Sequence, residues 1–268
     1  MRCAPVVCVL AVLAAAPLAF ANDRWDQGTL GDDDGPTSNP NEIPHGASQI
    51  HDLQSSGAPA DQDWVQIRVR NRHSYEARVS GASGIFWINV DGLPCAAGLC
   101  ASLDRVDAAG NVLQPGAMLE GSSRASSLRW AATATGGAFV RIQGPSGTAL
   151  SSFDEYEIEF FDTTYALPRF NNSATQTTVL IIQNLKTTTV IGTVDFYNAA
   201  GTLLHSEPVS LPAAGTLVLN TAGLPVAGQS GSALIAHNGG WGALAGKAVA
   251  LEPATGFTFD TPLTTMPR

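Results

Sequence analysis

Apolar and polar residues alternate in short runs from about Trp64 to the end of the chain, and no stretch carries the 3.6-residue period of an amphipathic helix. Runs rich in β-branched and aromatic residues are broken roughly every eight to twelve positions by Gly, Pro, Asn or Asp, which is the spacing of an antiparallel sandwich. A first series predicts strands over Trp64–Val69, Tyr75–Ser80, Ile85–Val90, Ser102–Asp107, Ser127–Ala132, Phe139–Gln143 and Tyr156–Phe161. The pattern pauses around Thr163–Arg169, at a proline. A second series then predicts strands over Thr177–Gln183, Val190–Tyr197, Leu203–Leu211, Thr216–Asn220, Ser232–His237, Leu244–Leu251 and Phe257–Phe259. Asp107-Ala-Ala-Gly-Asn111, Gly144-Pro-Ser-Gly147, Asn198-Ala-Ala-Gly201 and Asn238-Gly-Gly240 read as turns, because Gly and Asn tolerate the backbone conformations that reverse a strand. Two such series predict an all-β chain of two antiparallel β-sandwich domains.

The segment before them has a different character. Arg2 opens the chain, Val6–Leu18 is almost wholly apolar, and Ala19-Phe20-Ala21 has the small-x-small form that signal peptidase cuts. The apolar run is shorter than the roughly 20 residues a spanning helix needs and contains Pro17, so a cleaved signal peptide over residues 1–21 is expected, with no transmembrane segment left behind. Cys3 and Cys8 would leave with it. From Asn22 to about Ala60 the composition is that of a linker, rich in Asp, Gly, Pro, Asn and Ser. The expected organisation is therefore signal peptide 1–21, acidic flexible linker 22–44, first sandwich 45–163 and second sandwich 167–262.

Export places the remaining cysteines, Cys95 and Cys100, in an oxidising compartment, where a close pair most often forms a disulfide. The formal net charge of −9 and the scarcity of lysine argue against nucleic acid as a partner. Arg68, Arg70 and Arg72 fall at alternate positions, so in a strand they would share one face and offer a basic stripe to an anionic partner.

Catalytic patterns are sparse. Gly81-Ala-Ser-Gly84, Gly144-Pro-Ser-Gly147 and Gly228-Gln-Ser-Gly231 lack the Gly-x-Ser-x-Gly spacing of a nucleophile elbow and precede no helix. His-Glu-x-x-His is absent. The five histidines, His45, His51, His73, His205 and His237, are spread over both halves and read as exposed loop or edge-strand residues; His45 and His51 are the nearest pair that a metal could use. Glu155, Glu157 and Glu159 alternate along one strand beside Asp154, the usual look of a solvated edge.

The stretch His45-Gly-Ala-Ser-Gln-Ile-His-Asp-Leu53, followed by Asp61-Gln-Asp-Trp64 and Ser74-Tyr-Glu-Ala-Arg-Val79, resembles the bacterial pre-peptidase C-terminal domain family, whose first core strand opens with an acidic-aromatic Asp-x-Asp-Trp/Tyr/Phe motif. The resemblance spans roughly Gly46–Asp162. It implies a small jelly-roll-like sandwich that accompanies secreted proteases and other exported enzymes as an accessory part. Pro168–Ser173 through Leu244–Phe257 looks like an immunoglobulin-like module of secreted bacterial proteins, which implies architecture alone.

Calcium is the cofactor to which the residues point. Gly31-Asp-Asp-Asp-Gly35 offers three carboxylates, Asp32, Asp33 and Asp34, in a glycine-bounded loop, with Glu42, Asp61 and Asp63 further along, and a hard cation takes six to eight such oxygens. Related collagenase-type modules hold calcium between an acidic linker and the sandwich, but this chain lacks their spaced Glu and Asn-Asp pattern. Trp64, Trp87 and Trp130 are expected in cores. Trp241, just after a turn, is expected to fold back over the end of its sandwich; at a loop tip it would instead contact a partner. The resulting expectation is a secreted, non-catalytic accessory or interaction protein whose partner is a protein or a polysaccharide. The alternative is a carbohydrate- or extracellular-matrix-binding protein, calcium-dependent in one form, with Trp241 or the Arg68, Arg70 and Arg72 face as its contact surface.

Overall fold

A computed structural model describes residues 41–53, 61–81, 101–118, 125–144, 155–173 and 175–267. The expected strand Ile85–Val90, Trp87, the pair Cys95 and Cys100, and Asp32, Asp33 and Asp34 lie outside them. The regular structure of the described residues is almost entirely strand. The first half contains β1 (Asn41–Glu42), β2 (Ser48–Asp52), β3 (Gln62–Val69), β4 (Ser74–Gly81), β5 (Ser102–Val106), β6 (Val112–Pro115), β7 (Ala117–Met118), β8 (Ala125–Ala131), β9 (Gly136–Gln143) and β10 (Glu155–Asp162). The second contains β11 (Tyr165–Asn171), β12 (Thr177–Asn184), β13 (Val190–Asn198), β14 (Leu203–Leu211), β15 (Thr216–Asn220), β16 (Ser230–His237), β17 (Leu244–Glu252), β18 (Phe257–Pro262) and β19 (Thr264–Thr265). Among the described residues no helix is long and apolar enough to cross a membrane.

These strands form four sheets, ordered β1-β3-β9-β5-β6, β2-β10-β4-β8-β7, β14-β13-β16-β11-β19 and β15-β12-β17-β18. Pairing is antiparallel except between β1 and β3. Alternate residues of the first two sheets share one core. Val65, Ile67 and Val140 meet Ala77, Val79, Leu128, Trp130, Ile158 and Phe160 there. A second core joins Leu167, Phe170, Val194, Phe196 and Ile235 to Leu180, Ile182, Leu244 and Ala248. The fold is thus an all-β sandwich architecture, and each sheet buries one face against its partner by the period-two rule.

Two turns show how the local sequence sets the register. In Asp107-Ala-Ala-Gly110 and Asn198-Ala-Ala-Gly201 the first side chain accepts from the backbone N–H groups two and four residues on. The glycine that follows takes a left-handed φ of 84° at Gly110 and 79° at Gly201, a conformation that costs glycine nothing.

Four expectations are corrected. Asn41–Glu42 and Ser48–Asp52, expected as linker or left unassigned, are strands, because their backbones pair with β3 and β10. The pause at Pro168 is not a gap. Strand β11 continues through it, with a bulge between Leu167 and Phe170 that spares the residue lacking an N–H from the ladder. Strand β10 is not an edge, since it lies between β2 and β4, so Glu155, Glu157 and Glu159 line a sheet face. Finally, β3 ends at Val69, so the three arginines do not form one stripe: only Arg68 belongs to the strand, while Arg72 sits in the following turn with a φ of 65°.

Candidate functional site: the junction between the sandwiches

Strand β4 builds the junction. Tyr75, Ala77 and Val79 point into the first core, so alternation turns Ser74, Glu76 and Arg78 outward. The sheet register places Glu76 beside Arg129 of β8 on one side and Phe161 of β10 on the other. An outward glutamate is ordinarily solvated, yet Glu76 is completely buried, because the turn Asn238–Gly240 and Trp241 of the second sandwich lie over it.

Its carboxylate is fully engaged. Oε1 accepts from Arg129 Nε at 2.7 Å, and Oε2 accepts from Arg78 Nη2 at 3.0 Å and from the Trp241 N–H at 2.8 Å. Burial works to raise the Glu76 pKa, but the Trp241 N–H, Arg129 and Arg78 together outweigh it, and the carboxyl lies below its ordinary value. Gly240 permits this approach, since a β-carbon there would stand 2.7 Å from Glu76 Oε1. The Trp241 ring stacks on Phe161, with centroids 5.3 Å apart, and tilts against His45 at 5.2 Å. It does fold back as expected, but onto the other sandwich.

Three further links cross the junction. His237 donates from Nε2 to the Thr163 carbonyl at 2.9 Å, and its own N–H donates to Ser74 Oγ at 3.1 Å. Burial pushes the His237 pKa down to about 4, so the ring is neutral with its proton on Nε2. Arg72 reaches Asp195 Oδ2 at 3.1 Å and Ser206 Oγ at 2.9 Å, and Ser206 in turn donates to Asp195. His45 accepts the Asp162 N–H on Nδ1 at 2.8 Å and meets the Met266 carbonyl through Nε2 at 3.2 Å.

The covalent connection adds to these. Only Thr163 and Thr164 separate β10 from β11, and both are buried. Thr163 donates to Ser74 Oγ, and Thr164 Oγ1 accepts the Ser74 N–H. His73 meets Asp162 at 2.8 Å beside them. A two-residue connection whose side chains are held this way leaves few backbone torsions free.

Two clefts at the junction are bordered by described residues. One, of about 690 Å³, is bordered by Glu42, His45, Arg68, Arg70, Tyr75 and Asp162. Arg68 is paired there with Glu42 at 2.5 Å. Tyr75 Oη accepts the Arg70 N–H at 2.7 Å, and burial pushes its pKa up to about 12, so the phenol stays protonated. The other cleft, of about 370 Å³, is bordered by Arg78, Arg129, Lys186 and Asn238.

The remaining candidate residues are dispersed. Asp63 is buried and accepts from Tyr156 Oη at 2.5 Å, next to His51, whose Nδ1 is 3.9 Å away. Asp61 accepts the Gln62 N–H. His51, His73 and His237 are buried, which corrects the reading of the histidines as exposed residues. Each has found a polar partner that sequence spacing does not reveal. His45 and His51 make separate contacts, the one with Asp162 and Met266, the other with Gln49 and Tyr156. Among the described residues no group of three or more His, Cys, Asp or Glu side chains is placed to hold a metal ion.

No family model matches this chain, and no curated protein matches it. Among solved structures it is similar to the pre-peptidase C-terminal domain of collagenase from Bacillus anthracis, at 10% identity and a TM-score of 0.32, covering 45% of this chain and 93% of that one. A likeness that low carries no assignment. What the junction does therefore rests on its own residues.

Proposed function

We propose that this is a secreted, non-catalytic accessory or interaction protein, in which two sandwich modules over residues 45–163 and 167–262 are braced into one unit that presents clefts and sheet faces to a partner. The observation that carries the reading is the use made of the buried titratable groups. Glu76 and His237 are committed to partners that tie β4 and Thr163 to the second sandwich, and His73 and Asp162 are committed to one another beside them. Groups spent on holding two bodies together are unsuited to exchanging protons with a substrate. Export after removal of residues 1–21 and a disulfide between Cys95 and Cys100 belong to the same reading.

Pull-down on insoluble polysaccharides and on collagen, run beside a panel of esterase, protease and glycosidase substrates, tests it. Retention on one matrix without turnover is expected. Turnover that a single substitution abolishes would overturn it. In the carbohydrate- or matrix-binding form, the cleft beside Arg68 and Arg70 is favoured over Trp241, whose ring packs against Phe161 and His45. The calcium-dependent form is tested by melting temperature with excess calcium and with chelator, because a ligand of the folded state alone raises stability. A rise directs attention to Asp32, Asp33, Asp34, Asp61 and Asp63; no shift removes the cation.

A further inference from the structure

Arg78 comes from β4, Arg129 from β8 and Lys186 from the β12–β13 turn, and all three border the smaller junction cleft together with Thr188, Thr189 and Asn238. The whole chain has only 14 Lys and Arg residues and a net charge of −9, so three cations at one cleft are a local reversal of sign. Their counter-charges are Glu76, shared by Arg129 and Arg78, and Glu159, whose carboxylate is 3.8 Å from Arg78 Nη1. Lys186 is half-buried and has no ion-pair partner among the described residues. Arg78 Nε is buried and finds no hydrogen-bond partner there either.

The rest of the lining suits an acceptor-only ligand. Asn238 spends its Oδ1 on the Ile191 N–H, which leaves its amide hydrogens to donate. Thr188 and Thr189 bring hydroxyls. Guanidinium and ammonium groups stay charged across the physiological range and give their strongest hydrogen bonds to ionised oxygen. A volume of about 370 Å³ exceeds a bare ion and falls at the small end of ligand pockets.

We propose that this cleft binds an oxyanion, a carboxylate, sulfate or phosphate group, held by Lys186, Arg78 and Arg129 with the hydroxyl and amide donors around them. The site stands independently of the accessory role: turnover elsewhere on the protein would refute that role and leave the anion binding intact.

Calorimetric titration of the purified protein with sulfate, phosphate, galacturonate and galactose, at matched ionic strength in sodium chloride, tests the site. Saturable binding of at least one oxyanion and none of galactose is expected. Lys186→Gln weakens it by about tenfold, the loss of one charge-assisted contact. Lys247→Gln leaves it unchanged, because Lys247 pairs with Asp260 on the β17–β18 ladder. Galacturonate as the tightest ligand assigns the group to an acidic sugar, and sulfate or phosphate as the tightest assigns it to a free ion. Absence of saturable binding by all three anions, or equal affinity in the Lys186→Gln protein, overturns the proposal. Arg78 and Arg129 also hold Glu76, so the decisive variant is the one at Lys186.

Discussion

Acidification should loosen the junction through His237. In the folded protein burial holds this ring's pKa near 4, against an ordinary value of 6.5. Between those values the unfolded chain binds a proton that the folded chain refuses, so stability falls as pH falls. The stabilising difference is fully present above about pH 6.5 and is lost progressively down to the folded pKa. Two-state linkage with these pKa values gives a loss of about 2 kcal/mol near pH 5 and about 3 kcal/mol near pH 4.

Urea unfolding followed by tryptophan fluorescence, at several pH values between 7 and 4, measures this in the wild type and in His237→Gln. Glutamine retains an N–H that can donate to the Thr163 carbonyl but does not titrate. Its absolute stability is lower, while its dependence on pH should be flatter by about 2 kcal/mol between neutrality and pH 5. Other titrating groups are common to both proteins and drop out of the difference. Parallel pH profiles for the two proteins would refute the reasoning.

Glu76→Gln should cost about 3 kcal/mol, because it leaves two half-buried guanidinium groups without their shared counter-charge; thermal and urea melts check it. The Glu76 carboxyl is held below its ordinary pKa, so its contribution is present above about pH 4.5 and is lost only as pH falls below that. The wild type should therefore keep a steep acid limb there that the Gln variant lacks. Gly240→Ala should lower the melting temperature by an amount corresponding to about 1–3 kcal/mol, since its β-carbon would press on the Glu76 carboxylate. Tyr156→Phe, far from the junction, should cost about 2 kcal/mol by removing the hydroxyl that Asp63 accepts from; an unchanged urea midpoint would show that bond to be dispensable.

The sheets were largely legible from residue alternation. Leu203–Leu211 and Thr216–Asn220 form strands over the expected residues, because short runs bounded on both sides by turn residues leave little freedom of register. The short β6, β7 and β19 escaped, having too few residues to show a period. The junction escaped for a different reason. Alternation in Ser74-Tyr-Glu-Ala-Arg-Val79 correctly turns Glu76 and Arg78 away from the core, but period says nothing about what covers the outer face. Burial of Glu76 comes from Gly240 and Trp241, 164 and 165 residues later in the chain.

Some signals were present and unread. Tyr165 follows the strand ending at Asp162 after only two residues, which already ties the second sandwich closely to the first. A Gly-Gly-Trp after a strand end permits a backbone to approach a neighbouring side chain as closely as Gly240 does. The histidines could not be placed by spacing, since their partners Thr163, Asp162 and Gln49 are set by the tertiary fold.

Backbone ¹⁵N relaxation on the whole protein asks most directly whether the two sandwiches are one braced unit. Strands of both should report a single overall correlation time and one diffusion tensor. Two independent tensors in the wild type would contradict the account, because bodies joined through Glu76, His237, Arg72 and His45 cannot reorient separately.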